Sequence, residues 1–478
     1  MIAFAAPEYQ PDGSIRVVPY SFEGSPTDGW EVKREGKEHL RLGPGYRPLR
    51  VSHCGVCSTD LARHHLPFRL PQIIGHEVVA REESGQPVVV EINASHAARG
   101  LGPPHRCSFC NSHLGTHCPK RLVLGIHDLP GGFSPWILAP VDGVLPVPQG
   151  ISPATAALVE PFAAALHAVR ALDPRGGERI AVLGPRRLGG LLISALTAWR
   201  VRSGRRYKIL AVVRRPEMRS LAGALGADDV LDADRAREMH DIADVVIDTT
   251  GNPEALALAI QLAIREVHVK STTGLPTLGL SHLTELVVDE MTLAPYRDSD
   301  LASTFLPSPP LQIAVLLGQI PSMIEDNLHS HGFATIAGDD GAEIASKLAR
   351  DPGVPLGGAD LAVVTSLTAI DTAIRPRAGV EQGLVRPRGT IAVLDVGEPQ
   401  SELLEGLLGK GLRITTTRCG DFRPAIDLLS DPATDLGQRL GGQMVTDVVP
   451  ATRLADAFAR AADPRSVKVL VTHPGALL

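Results

Sequence analysis

The chain has no excess of basic charge, no long apolar run and little cysteine. Its formal charge is −6 at pH 7 and its isoelectric point is near 6.3, so it offers no basic field to nucleic acid or acidic lipid. No apolar run approaches the roughly 20 residues of a membrane span. The opening MIAFAAPEYQPDGS lacks both a positively charged segment and an adequate apolar core, so it does not read as a secretory signal. Neither nucleic acid nor a membrane is an expected partner, and the cytoplasm is the expected location. Of six cysteines, Cys54, Cys57, Cys107, Cys110 and Cys118 crowd the first quarter and Cys419 stands alone. In a reducing compartment that clustering points to metal rather than disulfides.

What is present is a chain of 478 residues, 44% hydrophobic, long enough for two or three domains with cores of their own. Up to about residue 150, short β-like runs such as 88–92 and 136–139 alternate with Gly, Pro and Asp, which reads as an irregular β-rich domain. Residues 152–172 turn Ala- and Leu-rich at helical spacing, with Ser152 as N-cap and Pro153 at the first helical position. Pro161 is expected to break or restart that helix. Strands at 179–183, 208–213, 244–248, 266–270 and 291–295 then alternate with helices at 188–200, 216–225 and 253–263. Buried parallel strands joined by crossover helices make this pattern, a doubly wound α/β sheet.

The alternation then starts again, with strands at 312–318, 333–336, 360–364, 390–396 and 412–416. Two local correspondences recur about 116 to 120 residues apart, Ala243-Asp244-Val245-Val246 with Ala359-Asp360-Leu361-Ala362, and residues 289–293 with 409–413. A duplicated nucleotide-fold unit is the expectation. Helices at 422–429 and 454–462 and a strand at 468–471 close the chain.

Three constellations carry chemistry. Cys57, His76 and Glu77 put a thiolate, an imidazole and a carboxylate within about twenty residues, a ligand set suited to a catalytic zinc with one open position. Glu160 is an acid in an otherwise apolar helix, which must be paired, neutral, metal-bound or turned to the surface. Cys107, Cys110 and Cys118 suit a tetrahedral structural zinc, for which His105 or His113 is the available fourth ligand. Downstream, Gly184-Pro185-Arg186-Arg187-Leu188-Gly189 follows a strand and opens a helix, where a dinucleotide fold wants Gly-x-Gly-x-x-Gly. Arg186 stands at the second glycine position, where its Cβ crowds a pyrophosphate while its guanidinium could pair with phosphate oxygens. The next strand ends in Arg214 and Arg215 with no acid for the ribose hydroxyls, which favours NADP over NAD.

Together these segments resemble the medium-chain dehydrogenase/reductase superfamily, in its zinc-dependent alcohol dehydrogenase-like branch with threonine, sorbitol and glucose dehydrogenases. The matching stretches are CGVCSTD at 54–60, GHE at 75–77, CSFCNSHLGTHCPKRLVLGI at 107–126, VEPFAAALHAV at 159–169, VVIDTTGNPEAL at 245–256 and RCGDFRPAIDLL at 418–429. The resemblance implies a GroES-like zinc-binding catalytic domain over 1–150 and a Rossmann nucleotide-binding domain over 151–296. An inserted, duplicated Rossmann-like unit would occupy 297–412, and 413–478 would return to both domains.

It further implies that Cys57, His76 and Glu160 ligate the catalytic zinc, with Glu77 beside or exchanging into the shell. Thr59 would relay the substrate proton. The usual relay histidine is Ala62 here, with His64 or His65 as candidate substitutes, and the first structural-zinc cysteine falls at Pro104. Thr249 and Thr250 would lie near the nicotinamide, and the substrate would be a small alcohol or carbonyl compound. In dimers of this superfamily the last sheet strands pair across the two-fold axis. The inserted unit could supply that partner internally, giving a monomer with an internal pseudo-dimer. Its Gly318-Gln319-Ile320-Pro321 turn is not expected to bind a dinucleotide. The alternative is a non-catalytic zinc protein whose nucleotide loop is blocked by Arg186.

Overall fold

Alternating apolar and polar residues over 1–42 build a four-stranded antiparallel meander, Ile2–Tyr9, Ile15–Ser25, Gly29–Arg34 and Lys37–Leu42. Its covered face buries Ala6, Val18, Phe22 and Val32, as expected of an antiparallel sheet with one wet side. The computed structural model describes all residues except 67, 273, 302–311, 351–355, 377–382, 396–400 and 475–478. The chain divides into two compact units, residues 1–166 with 186–203 and 419–478, and residues 167–185 with 204–418.

In the first unit a second sheet has the order Val144–Pro146, Pro87–Val90, Glu77–Arg81, Tyr46–Gly55, Lys468–Thr472, Val445–Pro450, with Trp136–Pro140 also paired to Tyr46–Gly55. The C-terminal end of the chain is thereby woven into the β-rich domain. The helix over 152–172 breaks before Pro161, not at it: Pro153–Ala156 forms one turn and Val159–Leu172 runs on with Pro161 in its first turn. There a proline lacks only an N–H that has no helical partner. The helix Leu436–Met444 was not expected, because its sequence LGQRLGGQM carries three glycines. Close approach accounts for it, since a Cβ on Gly441 would lie 2.8 Å from the Thr155 nitrogen.

Among its described residues the second unit holds an 11-stranded sheet. Its strands in chain order are β1 (Arg179–Leu183), β2 (Lys208–Val213), β3 (Asp229–Asp232), β4 (Ala243–Asp248), β5 (Ala263–Val269), β6 (Thr292–Pro295), β7 (Gln312–Leu317), β8 (Phe333–Gly338), β9 (Ala359–Val364), β10 (Val385–Val393) and β11 (Arg413–Thr416). The spatial order is β3-β2-β1-β4-β5-β11-β6-β10-β9-β7-β8. The first half is the order of a dinucleotide-binding sheet, and the second half repeats its inner part in reverse direction. Every neighbouring pair is parallel except β6 with β11, which meet antiparallel at Leu293 opposite Ile414.

The two halves match in detail. Asp244 Oδ2 accepts from the Arg179 N–H at 2.8 Å, and Asp360 Oδ2 accepts from the Ile313 N–H at 3.0 Å. The β4–β5 ladder slips between Ala243 and Val245, and β9–β10 slips between Ala359 and Leu361. Left-handed glycines follow β1 and β7, Gly184 at φ 78° and Gly318 at φ 91°.

One expectation is corrected. Sequence order assigns β6 to the first half and β11 to the second, but hydrogen bonding exchanges them: β11 lies beside β5, and β6 lies beside β10. Left-handed Glu290 and Gly411 precede the two strands at equal distance, so the correspondence of 289–293 falls one residue later than 409–413.

Candidate active site

Tyr46–Gly55 and Glu77–Arg81 are antiparallel, with Gly55 opposite Glu77. Cys57 follows the first strand and His76 precedes the second, so the intervening loop leaves and re-enters at one end of the sheet. A Cys57 sulfur, a His76 ring nitrogen and a Glu77 oxygen come within 4.8 Å of one another. Asp60 braces the group, its Oδ2 accepting from the Cys57 N–H at 2.8 Å and its Oδ1 lying 3.6 Å from His76 Nδ1. That buried nitrogen has no hydrogen-bond partner among the described residues. Burial opposes a charge on His76, yet Asp60 and Cys57 raise its pKa well above the usual value. Anionic groups around one buried imidazole make a site that favours a cation, and the donor set fits zinc.

Glu77 receives both of its bonds from Lys468, at 2.6 and 2.7 Å, and both side chains are buried. Lys468 starts the strand that flanks Tyr46–Gly55 on its other side. In sequence it is one lysine before an apolar run, and nothing marks it. Thr59 Oγ1 lies 3.7 Å from the Cys57 sulfur, next to the expected metal. Glu160 stands in the first turn of Val159–Leu172, partly buried, and its carboxylate is not part of the 4.8 Å cluster. Among the relay candidates, His64 is exposed with Nδ1 3.4 Å from the Tyr9 hydroxyl, and the His65 side chain lies outside the described residues.

The cysteine lobe gains a candidate ligand that spacing missed. His96 joins Cys107, Cys110 and Cys118, with its Nδ1 3.8 Å from the Cys110 sulfur and 3.5 Å from that of Cys118, while the Cys107 and Cys118 sulfurs are 3.7 Å apart. A tetrahedral zinc with Zn–S of about 2.3 Å and Zn–N of about 2.0 Å requires S···S edges of about 3.8 Å and S···N edges of about 3.5 Å, and these three distances fit. Neither His105 nor His113 belongs to the group, and Pro104 lies in a short turn, Pro103–His105. His96 is delivered by the pairing of Asn93–Ala94 with Leu122–Val123, a contact that proximity in sequence does not reveal.

The nucleotide turn divides between glycine geometry and arginine bonding. Gly184 is left-handed, and a Cβ on it would lie 2.8 Å from Thr250 Cγ2 and 3.3 Å from Thr249 Oγ1, so only glycine suits the close approach to the β4 end. Thr249 Oγ1 donates to the Leu183 carbonyl at 2.7 Å and to that of Gly184 at 3.0 Å. Gly189 is buried in the first turn of Leu188–Ser203. This turn fits a dinucleotide.

Arg186, however, donates to the Asp463 carbonyl at 2.7 Å and the Ser466 carbonyl at 2.6 and 2.9 Å. It is tied to the segment before the last strand. Arg187 donates to the carbonyls of Val467, at 3.1 Å, and Ala461, and to Ser58 Oγ at 2.8 Å. Arg214 is exposed and Arg215 partly buried where β2 ends.

Residues 43–149 match the alcohol dehydrogenase GroES-like domain family. The L-galactonate-5-dehydrogenase of Escherichia coli K12 is 30% identical over 234 residues, 45% of this chain and 64% of that protein. The (R,R)-butanediol dehydrogenase of Bacillus subtilis is 30% identical over 251 residues, 48% of this chain and 71% of that enzyme. The chain belongs to the zinc-dependent alcohol dehydrogenase family. It spans less than two thirds of the length of the L-galactonate enzyme. A Sinorhizobium meliloti structure described as a zinc-binding dehydrogenase and bound to NADP superposes with a TM-score of 0.54 at 18% identity, covering 99% of this chain and 100% of that one. At that identity it shows the fold. Among the described residues no helix is long and apolar enough to cross a membrane.

Proposed function

We propose that this alcohol dehydrogenase relative is a zinc-dependent oxidoreductase that moves hydride between a nicotinamide dinucleotide and an alcohol or carbonyl substrate. The observation that carries the reading is the convergence of Cys57, His76 and Glu77 within 4.8 Å at one sheet end. When bound, zinc polarises the substrate oxygen and the nicotinamide carries the hydride. Cys57 and His76 would hold the metal. Glu77, the third donor of the cluster, has both oxygens on Lys468, and Glu160 is the third ligand that the family resemblance implies. The Thr59 hydroxyl, beside the Cys57 sulfur, moves the substrate proton, and Asp60 keeps His76 and the Cys57 backbone in place.

Arg214 and Arg215 favour NADP through its 2′-phosphate. The names of the relatives point to a secondary alcohol on a short polyol, hydroxy acid or amino acid. All six cysteines are free, which accords with a cytoplasmic location. Cys57→Ser should abolish turnover, remove one zinc per chain and leave the thermal midpoint nearly unchanged, and undiminished turnover would refute the assignment.

The reading extends to assembly. With residues 297–412 taken as a second nucleotide-fold unit, β6 and β11 meet inside one chain in the manner of two subunits. The strand edge that would invite a second copy is already paired. Light scattering should return one chain, 50.7 kDa, and a mass of twice that would contradict it.

A further inference from the structure

Buried and half-buried cations need a counter-ion or a full set of acceptors. Lys468 has Glu77, Arg34 has Glu8 and Arg375 has Asp289. Arg63 lacks a carboxylate but is wholly buried among the carbonyls of Phe68, Arg69 and Ile126 and the Gln72 side chain, which serves structure alone.

Arg187 differs from these. No carboxylate lies within ion-pair distance of it among the described residues, and its three acceptors, the carbonyls of Ala461 and Val467 and the Ser58 hydroxyl, are neutral. A guanidinium has five N–H donors, so two remain without a protein partner among the described residues. One arm ends on Ser58, the residue after the metal-ligand candidate Cys57. Burial pushes this guanidinium below its ordinary range even though Cys57, Glu77 and Asp60 act in the opposite sense. A cation kept partly from water, short of acceptors and beside a metal cluster is arranged for an anion that arrives with a ligand.

We propose that Arg187, steadied by Ser58, is an anion-binding arm of the metal centre that takes a carboxylate or phosphate oxygen pair. The anion would be the dinucleotide's phosphate or the carboxylate of a hydroxy-acid substrate, and this choice rests on the function proposed above. The planar guanidinium fork matches either group with two parallel bonds, and a lysine does not.

Calorimetry on the zinc-loaded full chain tests it with four probes: NADPH, inorganic pyrophosphate, gluconate and neutral sorbitol. Arg187→Met should weaken at least one anionic probe tenfold or more, leave sorbitol unchanged and retain both zinc content and thermal midpoint. Loss confined to NADPH and pyrophosphate assigns the arm to the cofactor, and loss confined to gluconate assigns it to the substrate. Arg187→Lys should recover only part of the affinity. Should the methionine variant lose zinc or stability, Arg187→Gln, which keeps an N–H for the carbonyls, carries the test. Unchanged affinities in the folded variant, or a wild type that binds no anionic probe, overturn the proposal. A wild type that binds pyrophosphate through Arg187 but turns over no alcohol leaves the arm standing and removes the proposed function instead.

Discussion

His96 shows how far residue-level reading reaches. Cysteine spacing marked Cys107, Cys110 and Cys118 because three thiols within twelve residues are uncommon unless a metal holds them. The candidate fourth ligand, His96, lies eleven residues upstream of Cys107, outside any local window, and the pairing of Asn93–Ala94 with Leu122–Val123 brings it in. Lys468 was illegible for the same reason, since its partner Glu77 is 391 positions away. The Cys57, His76 and Glu77 group was legible because one strand pair makes it local. His96→Ala should lower the zinc content from two ions per chain to one, erase one set of cobalt–thiolate absorption bands on metal substitution, and lower the thermal midpoint. Retention of two tightly held ions by the variant would place the fourth ligand elsewhere.

At the scale of elements, the alternation of strand and helix was readable because buried parallel strands are apolar and of regular length. The exchange of β6 and β11 was not, because both strands fit either edge by hydropathy alone. Side chains on one face of the sheet account for the choice. Glu266, His268 and Lys270 on and just after β5 are all buried, which is unusual for a parallel strand. They meet Thr415 and Thr417 of the β11 segment. His268 bonds Thr415 Oγ1 and Thr417 Oγ1 at 2.9 Å each, Lys270 donates to Thr417 Oγ1 at 2.9 Å, and Thr415 donates to Glu266 at 2.7 Å.

In the other half, the positions that match His268 and Thr415 in register are Ala392 and Ala294. Polar strand lies with polar strand and apolar with apolar. Without the exchange, His268 would face alanine, and a buried donor or acceptor left unsatisfied costs roughly 1–3 kcal/mol. Burial holds His268 well below its ordinary pKa, helped by Lys270, so it is a neutral link in this ladder. Thr417→Val, which keeps the shape and removes the hydroxyl, should destabilise the chain by about 1–3 kcal/mol in urea unfolding, with Thr417→Ser recovering most of the loss. An unchanged midpoint in the valine variant would mean that the ladder does not select the pairing.

For the molecule as a whole, family and fold class were written in the sequence as motifs in a fixed order, while the extra length was readable only as repetition. In the structure these strands form one continuous sheet in which β6 and β11 meet antiparallel at Leu293 and Ile414, and a ladder slip and an aspartate bond occur on each side of that meeting. The structure also moves the question about the hydride carrier. Arg186, which in sequence either blocks or binds a phosphate, is bonded to the backbone at Asp463 and Ser466, while the Gly184 turn and its threonine backing are intact.

Whether a zinc centre works with a nicotinamide dinucleotide is decided by titrating the zinc-loaded full chain with NADPH and following the cofactor's fluorescence. Saturable binding at micromolar concentration is expected, with one site per chain and weaker binding of NADH. Absence of binding of either cofactor up to millimolar concentration, with both zinc ions in place, would contradict it.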